Sequence, residues 1–144
     1  MLNVSIVLYR PDWEQVSALT HALLQSQRVN RVYWIDNSPQ ATEQLPLQSE
    51  RIQYQHNSTN LGYGAAHNIA IRESIYDNIP FHLVINPDII LDTKELDRML
   101  DFVSQNPLVG SLMPKVTYPN GQLQYLCKLL PTPLDVFGRR FLPA

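Results

Sequence analysis

A single cysteine, Cys127, in a chain of 144 residues leaves nothing to form an internal disulfide. That fits a reducing, cytoplasmic setting. No long basic run is present and the formal net charge is −2. Nucleic acid is therefore not the expected partner, because binding a phosphate backbone needs clustered positive charge. No stretch approaches the ~18 apolar residues that span a bilayer. The start of the chain, Met1 to Tyr9, has no charged leader and too short an apolar run for a signal peptide. Internal repeats, linkers and low-complexity segments are also missing. What remains is 44% hydrophobic and 17% charged, a globular composition long enough for one domain with a real core.

The hydrophobic pattern alternates strand and helix. Leu2 to Tyr9 reads as a buried strand stopped by Arg10-Pro11. Asp12 can cap a helix in which Trp13, Val16, Thr20, Leu23 and Leu24 recur at helical spacing to about Gln27. Arg31 to Asp36 is a second strand, ended by the turn formers Asn37-Ser38-Pro39. After polar residues 40 to 50, Arg51 to His56 is a third. Gly62 to Tyr76 is helical, with Ala66, Ile69 and Ala70 on one face. Phe81 to Asn86 is a fourth strand, broken by Pro87, and Thr93 to Gln105 a helix with the stripe Leu96, Met99, Leu100 and Val103. A further strand is expected over Val109 to Val116, followed by a hairpin-type turn at Pro119-Asn120-Gly121. Leu129 to Ala144 is rich in Pro and bulky apolar residues and has no clear period. The alternation predicts an α/β fold: a mostly parallel sheet with helices on both faces, in one domain over residues 1 to 144.

Ligands of open parallel sheets bind beyond the carboxyl ends of the strands. Four polar clusters fall there: Tyr9-Arg10-Pro11-Asp12, Asp36-Asn37-Ser38, Asn60 to Asn68, and Asn86-Pro87-Asp88. A solvated loop explains any one of them, but four on one edge point to a site. Asp36 could accept from a base N–H or a ribose hydroxyl, or could close an Asx-turn on its own backbone. Asp88, directed by Pro87, offers a hard oxygen to Mg²⁺ or Mn²⁺ carrying a diphosphate, or is a turn residue. Gly62-Tyr63-Gly64-Ala65-Ala66-His67 starts like a dinucleotide fingerprint, but His67 replaces the third glycine and the segment follows the third strand. Two glycines at a helix start still let backbone N–H groups approach an anion. His21, His56 and His82 read as surface or packing residues, since no second histidine lies at ligand spacing. The sequon Asn57-Ser58-Thr59 carries no meaning in a cytoplasmic protein.

Taken together and in register, Ser5 to Tyr9, Trp34 to Ser38, Asn60 to Asn68 and Leu83 to Asp88 resemble glycosyltransferase family 2, over about residues 4 to 126. The bacterial rhamnosyltransferases of O-antigen and cell-surface polysaccharide synthesis are the similar branch. The resemblance implies a GT-A, Rossmann-like nucleotide-sugar fold and an inverting transfer, with dTDP-rhamnose as the favoured donor and a lipid-linked or polysaccharide acceptor. It implies that Asp36 binds the nucleotide base, with Leu8 and Tyr9 lining the same pocket. Asn60, Gly62, Gly64 and Asn68 shape the donor site beside the nucleotide. Asn86-Pro87-Asp88 stands where most members carry Asp-x-Asp, so Asp88 takes the divalent cation, Mg²⁺ or Mn²⁺, and Asn86 is an uncharged departure beside it.

A second departure concerns the base. Inverting transfer needs a carboxylate to deprotonate the acceptor hydroxyl, and the resemblance puts it in an acidic motif well downstream, beyond Ala144. Asp135 lacks that context and is not assigned. The expectation is thus a donor-binding half, truncated before the catalytic base, with an irregular tail over about 129 to 144. An apolar tail bearing Arg139 and Arg140 would suit peripheral contact with the inner face of the plasma membrane. The alternatives are a non-catalytic remnant that only binds nucleotide, and a nucleotidyltransferase. Against the last, the loop Arg10-Pro11-Asp12-Trp13 contains no glycine.

Overall fold

The computed structural model of the chain describes residues 1–124. Cys127, Asp135 and the tail from Leu129 to Ala144 lie outside the described residues. Two compact units are distinguished, Met1–Gln105 and the residues from Asn106 onward. The first holds β1 (Leu2–Leu8), α1 (Trp13–Gln25), β2 (Val29–Asp36), β3 (Ile52–His56), α2 (Tyr63–Tyr76), β4 (Phe81–Ile85) and α3 (Thr93–Gln105). Its four strands form one parallel sheet in the order β3-β2-β1-β4. The chain steps outward from β1 to β3, then returns to place β4 on the other side of β1. That reversal of direction makes a topological switch point between β1 and β4, and open parallel sheets bind ligands beyond their carboxyl ends at such points.

The two-residue period of the strands divides the core between two faces. Val4, Ile6 and Leu8 of β1, with Val32 and Trp34 of β2, pack with Val16, Leu19 and Leu23 of α1 and Leu96 and Leu100 of α3. Tyr33 and Ile35 of β2 pack instead with Ala66 and Ala70 of α2. Helices therefore cover both faces, as the alternating pattern predicts. Asp12 caps α1 as expected: its Oδ1 accepts from the N–H groups of Glu14 and Gln15. At the other end of α1, the Arg51 guanidinium donates to the carbonyls of Leu24, Ser26 and Val29. One side chain thereby satisfies the Leu24 and Ser26 carbonyls, which the helix end leaves without intrahelical partners, and ties them to the start of β2 at Val29.

The second unit corrects one expectation. Val109 to Val116 is not a strand: only Val116–Thr117 (β5) pairs, antiparallel, with Leu123–Gln124 (β6). Pro114 has no N–H for a ladder and Gly110 contributes no side chain to one. The Val109 N–H turns back to the Asn106 carbonyl instead. The expected turn at Pro119-Asn120-Gly121 does join the two short strands, with Gly121 at φ +82° and the Tyr118 N–H on the Gln122 carbonyl.

Candidate functional site

The four polar clusters lie at the carboxyl edge of the sheet, and three hydrogen bonds join them in a row. The Arg10 N–H donates to Ser38 Oγ at 2.7 Å, linking the end of β1 to the end of β2. Asn37 Nδ2 donates to the Gly62 carbonyl at 3.4 Å, linking β2 to the start of α2. Tyr63 Oη donates to Asn86 Oδ1 at 2.8 Å, linking α2 to the end of β4. Asn57, after β3, stitches the middle: its Nδ2 donates to Asn37 Oδ1 and its N–H to the Asp36 carbonyl.

Asp36 ends β2 with its residue fully buried. Its Oδ1 accepts the Ser38 N–H at 2.8 Å, an Asx-turn, and its Oδ2 accepts the Tyr54 hydroxyl at 2.8 Å. Tyr54 Oη in turn accepts the Thr42 N–H. Burial pushes the Tyr54 hydroxyl above its ordinary pKa, and the Asp36 carboxylate adds to the rise although the Thr42 contact opposes it. Tyr54 therefore stays a donor to Asp36, and the pair pins residues 38 to 42. Over them lies a cleft of about 540 Å³ lined by Arg10, Pro11, Trp13, Ser38, Pro39, Gln40 and Thr42, a size that admits a small ligand. Leu8 is buried beneath this edge and its carbonyl accepts the Asn37 N–H, whereas Tyr9 is exposed, with the Arg10 guanidinium 5.6 Å from its ring centre. Arg10 holds φ +49°, which is uncommon for a residue with a side chain.

Around α2 the expected residues divide. Asn60 Oδ1 accepts the Gly62 N–H, and Gly62 sits at φ 78°, ψ 168° as the N-cap without a capping side chain. Such backbone angles are almost confined to glycine. Gly64 has ordinary helical angles and open space where a Cβ would stand, so the backbone does not demand glycine there. Asn68 is exposed one turn further on. Asp88 is exposed at the rim. Burial raises the Tyr63 hydroxyl pKa, and the charge of Asp88 raises it further. No group of three or more His, Cys, Asp or Glu converges among the described residues, and Asn86 Oδ1 already accepts from Tyr63. The described side chains therefore form no cage of protein ligands for an ion.

Reasoning from sequence missed a polar chain beneath this rim. Asn3 and Ser5 point from β1 toward α2, opposite the apolar face of the same strand. Asn3 Nδ2 donates to Ser74 Oγ, which also meets His82 Nδ1, and Ser5 Oγ lies 2.7 Å from His67 Nδ1 and 2.8 Å from His82 Nε2. Proton bookkeeping orders the chain. Ser74 gives its own proton to the Ala70 carbonyl, so His82 must donate from Nδ1 and accept at Nε2. Ser5 then donates to His82 and accepts from His67 Nδ1–H. His67 Nε2 is left as a buried lone pair with no partner. Burial drives His67 down to about 4, and burial together with the charge of His67 brings His82 to about 4 as well. The signal was present as polar residues at alternate positions of an otherwise apolar strand.

No described helix is long and apolar enough to cross a membrane. Curated protein sequences gave no significant match. The fold is similar to the crystal structure of S. aureus TarS 1-349, with a TM-score of 0.54 at 15% identity over 79% of this chain. The chain spans 38% of the length of that structure. Residues 17–130, more than half of the sequence, match the family described as Glycosyl transferase family 2. The parallel β3-β2-β1-β4 sheet, the linked rim at its carboxyl edge and this match together place the chain in glycosyl transferase family 2.

Proposed function

We propose that the unit Met1–Gln105 binds a nucleoside diphosphate sugar as glycosyl donor, with dTDP-rhamnose favoured. The observation that carries the reading is the row of hydrogen bonds from Arg10 through Ser38, Asn37, Gly62 and Tyr63 to Asn86. It fixes the ends of β1, β2, β4 and the start of α2 as one surface before any ligand arrives, which limits the ordering cost of binding. The base enters the cleft over residues 38 to 42, beside Leu8 and Tyr9. Asp36 anchors that cleft, holding Ser38 and Tyr54 with a charge that gives both bonds extra strength. The diphosphate lies toward Gly62 and Gly64, where the first N–H groups of α2 have no capping side chain. Asn60 and Asn68 flank that segment, and Asn86 meets the donor at the end of β4.

Asp88 would hold a Mg²⁺ or Mn²⁺ ion carried by the diphosphate. When bound, such an ion neutralises charge that builds on the leaving diphosphate. The reaction fitted to this site is an inverting displacement in polysaccharide synthesis of the O-antigen type. The acceptor hydroxyl attacks the anomeric carbon as the bond from that carbon to the diphosphate oxygen breaks, and a carboxylate takes the hydroxyl proton. No described residue is assigned as that base. A lipid-linked or polysaccharide acceptor, met at the inner face of the plasma membrane, belongs to the same reading.

Calorimetry with dTDP, UDP and GDP, each with and without Mn²⁺, tests it. Preferential binding of dTDP is the expected result. Equal failure of all three to bind contradicts it.

A further inference from the structure

Asp36 stands two residues before Ser38 at the end of β2, yet it is wholly buried and is not among the residues that line the proposed base cleft. The polar residue that joins Asp36 to the cleft is Ser38, and its backbone is fully committed. Its N–H donates to Asp36 Oδ1, and its carbonyl accepts from His56 Nε2 at 2.8 Å. Its Oγ accepts the Arg10 N–H. One polar function is left over, the hydroxyl proton, on a side chain that lines the cleft. A hydroxyl whose oxygen already accepts a backbone N–H is restricted in where it can aim its proton, so it selects an acceptor. Trp13, Pro11 and Pro39 give the cleft flat apolar surfaces, with Arg10, Gln40 and Thr42 completing a mixed lining, which suits a planar ring edged with acceptors.

We infer that the Ser38 hydroxyl is a specificity determinant that donates to a ring carbonyl of the donor's base. The inference rests on the donor reading above and adds to it which group reads the base. A carbonyl at the matching ring position accepts the bond, whereas an exocyclic amine there would set donor against donor and leave both unsatisfied. Asp36, Tyr54 and His56 then act as positioning residues. Asp36 and His56 grip the Ser38 backbone, and Tyr54 grips Asp36.

Binding of dTDP and its 2-thio and 4-thio analogues to the full chain tests this, because sulfur is a much weaker acceptor than oxygen. The wild type should bind dTDP about three- to tenfold more tightly than one of the two analogues, the range expected for one neutral hydrogen bond. Ser38→Ala should weaken dTDP by a similar factor and bind dTDP and that analogue equally. Equal affinity of the wild type for all three ligands overturns the inference without touching the donor reading, and so does a Ser38→Ala chain that keeps the preference. The wild-type series stands alone if the variant fails to fold. A wild type that binds none of the three overturns both.

Discussion

The hydroxyl of Tyr63 holds the amide oxygen of Asn86 at 2.8 Å, so the start of α2 and the end of β4 are joined by a bond between two exposed side chains. The N–H₂ of Asn86 is not used by this bond. On the proposed donor reading that amide donates to the ligand, and Asp88 is the contact for an ion. Tyr63→Phe should loosen this link. Affinity for dTDP should fall about two- to tenfold, by the scale of one neutral hydrogen bond, with little change in melting temperature because the pair is exposed. Calorimetry beside a thermal melt separates the two effects.

Asp88→Ala should remove the strengthening of dTDP binding by Mn²⁺ and leave metal-free binding unchanged. A variant that responds to Mn²⁺ as the wild type does assigns the ion elsewhere. Asn86→Asp makes the opposite change: one oxygen can still accept from Tyr63 while the other is free for the ion, so the Mn²⁺ response should grow.

Asp36→Ala should act on both stability and binding. A buried donor, the Ser38 N–H, and a half-buried one, the Tyr54 hydroxyl, lose a charged acceptor. The loss should be roughly 1.5–3 kcal/mol of folding stability. Affinity for dTDP should drop with or without Mn²⁺, because the damage lies at the base cleft. Tyr54→Phe, which keeps the carboxylate and the Asx-turn, should show a smaller version of the same pattern by urea unfolding and calorimetry.

The two glycines of the α2 start should behave in opposite ways. Gly62→Ala meets no neighbouring atom but forces a Cβ onto φ 78°, ψ 168°, and should cost about 1–3 kcal/mol through the backbone alone. Gly64→Ala, in open space with helical angles, should gain up to about 1 kcal/mol. Equilibrium unfolding of both variants checks the sign of each.

How much of this was readable in the residues varied with the kind of interaction. The period of Val16, Leu23, Leu96 and Leu100 located helices to within a residue or two, because a buried stripe tolerates few alternatives. Val109 to Val116 had the composition of a strand but, with Pro114 and Gly110 in it, not the backbone donors and side chains of one. At the site, the sequence placed Asp36, Gly62, Asn86 and Asp88 on one edge, since strand ends in a parallel sheet share an edge. It did not reveal that Asp36 faces inward, which depends on Tyr54 arriving from another strand. Nor did it reveal the Ser5–His67–His82–Ser74 chain, whose members lie up to 77 positions apart. Each of its residues alone reads as an ordinary polar side chain.

That buried chain makes stability sensitive to pH in a definite direction. His67 and His82 titrate near 6.5 when unfolded and are held down to about 4 when folded. Between those values the unfolded chain binds more protons, so protonation favours unfolding. Their contribution is fully present above about pH 6.5 and is lost as pH falls toward 4. A tenfold loss of proton affinity on folding corresponds to about 1.4 kcal/mol. Urea unfolding from pH 7 to 4.5 should show this decline, and it should be shallower in a His67→Gln, His82→Gln double variant. Parallel declines would mean that the histidines do not supply the slope.

On the proposed reading, the carboxyl edge of this sheet takes a nucleoside diphosphate, with its base over Ser38 and its diphosphate near Gly62 and Asp88. The most direct measurement is a calorimetric titration of dTDP into the wild type, Asp36→Ala and Asp88→Ala, each with and without Mn²⁺. The wild type should bind dTDP, and Mn²⁺ should strengthen that binding. Asp36→Ala should show a loss under both conditions, and Asp88→Ala a loss of the Mn²⁺ effect alone. Wild-type binding that neither substitution alters, or no binding at all, would contradict the proposed reading.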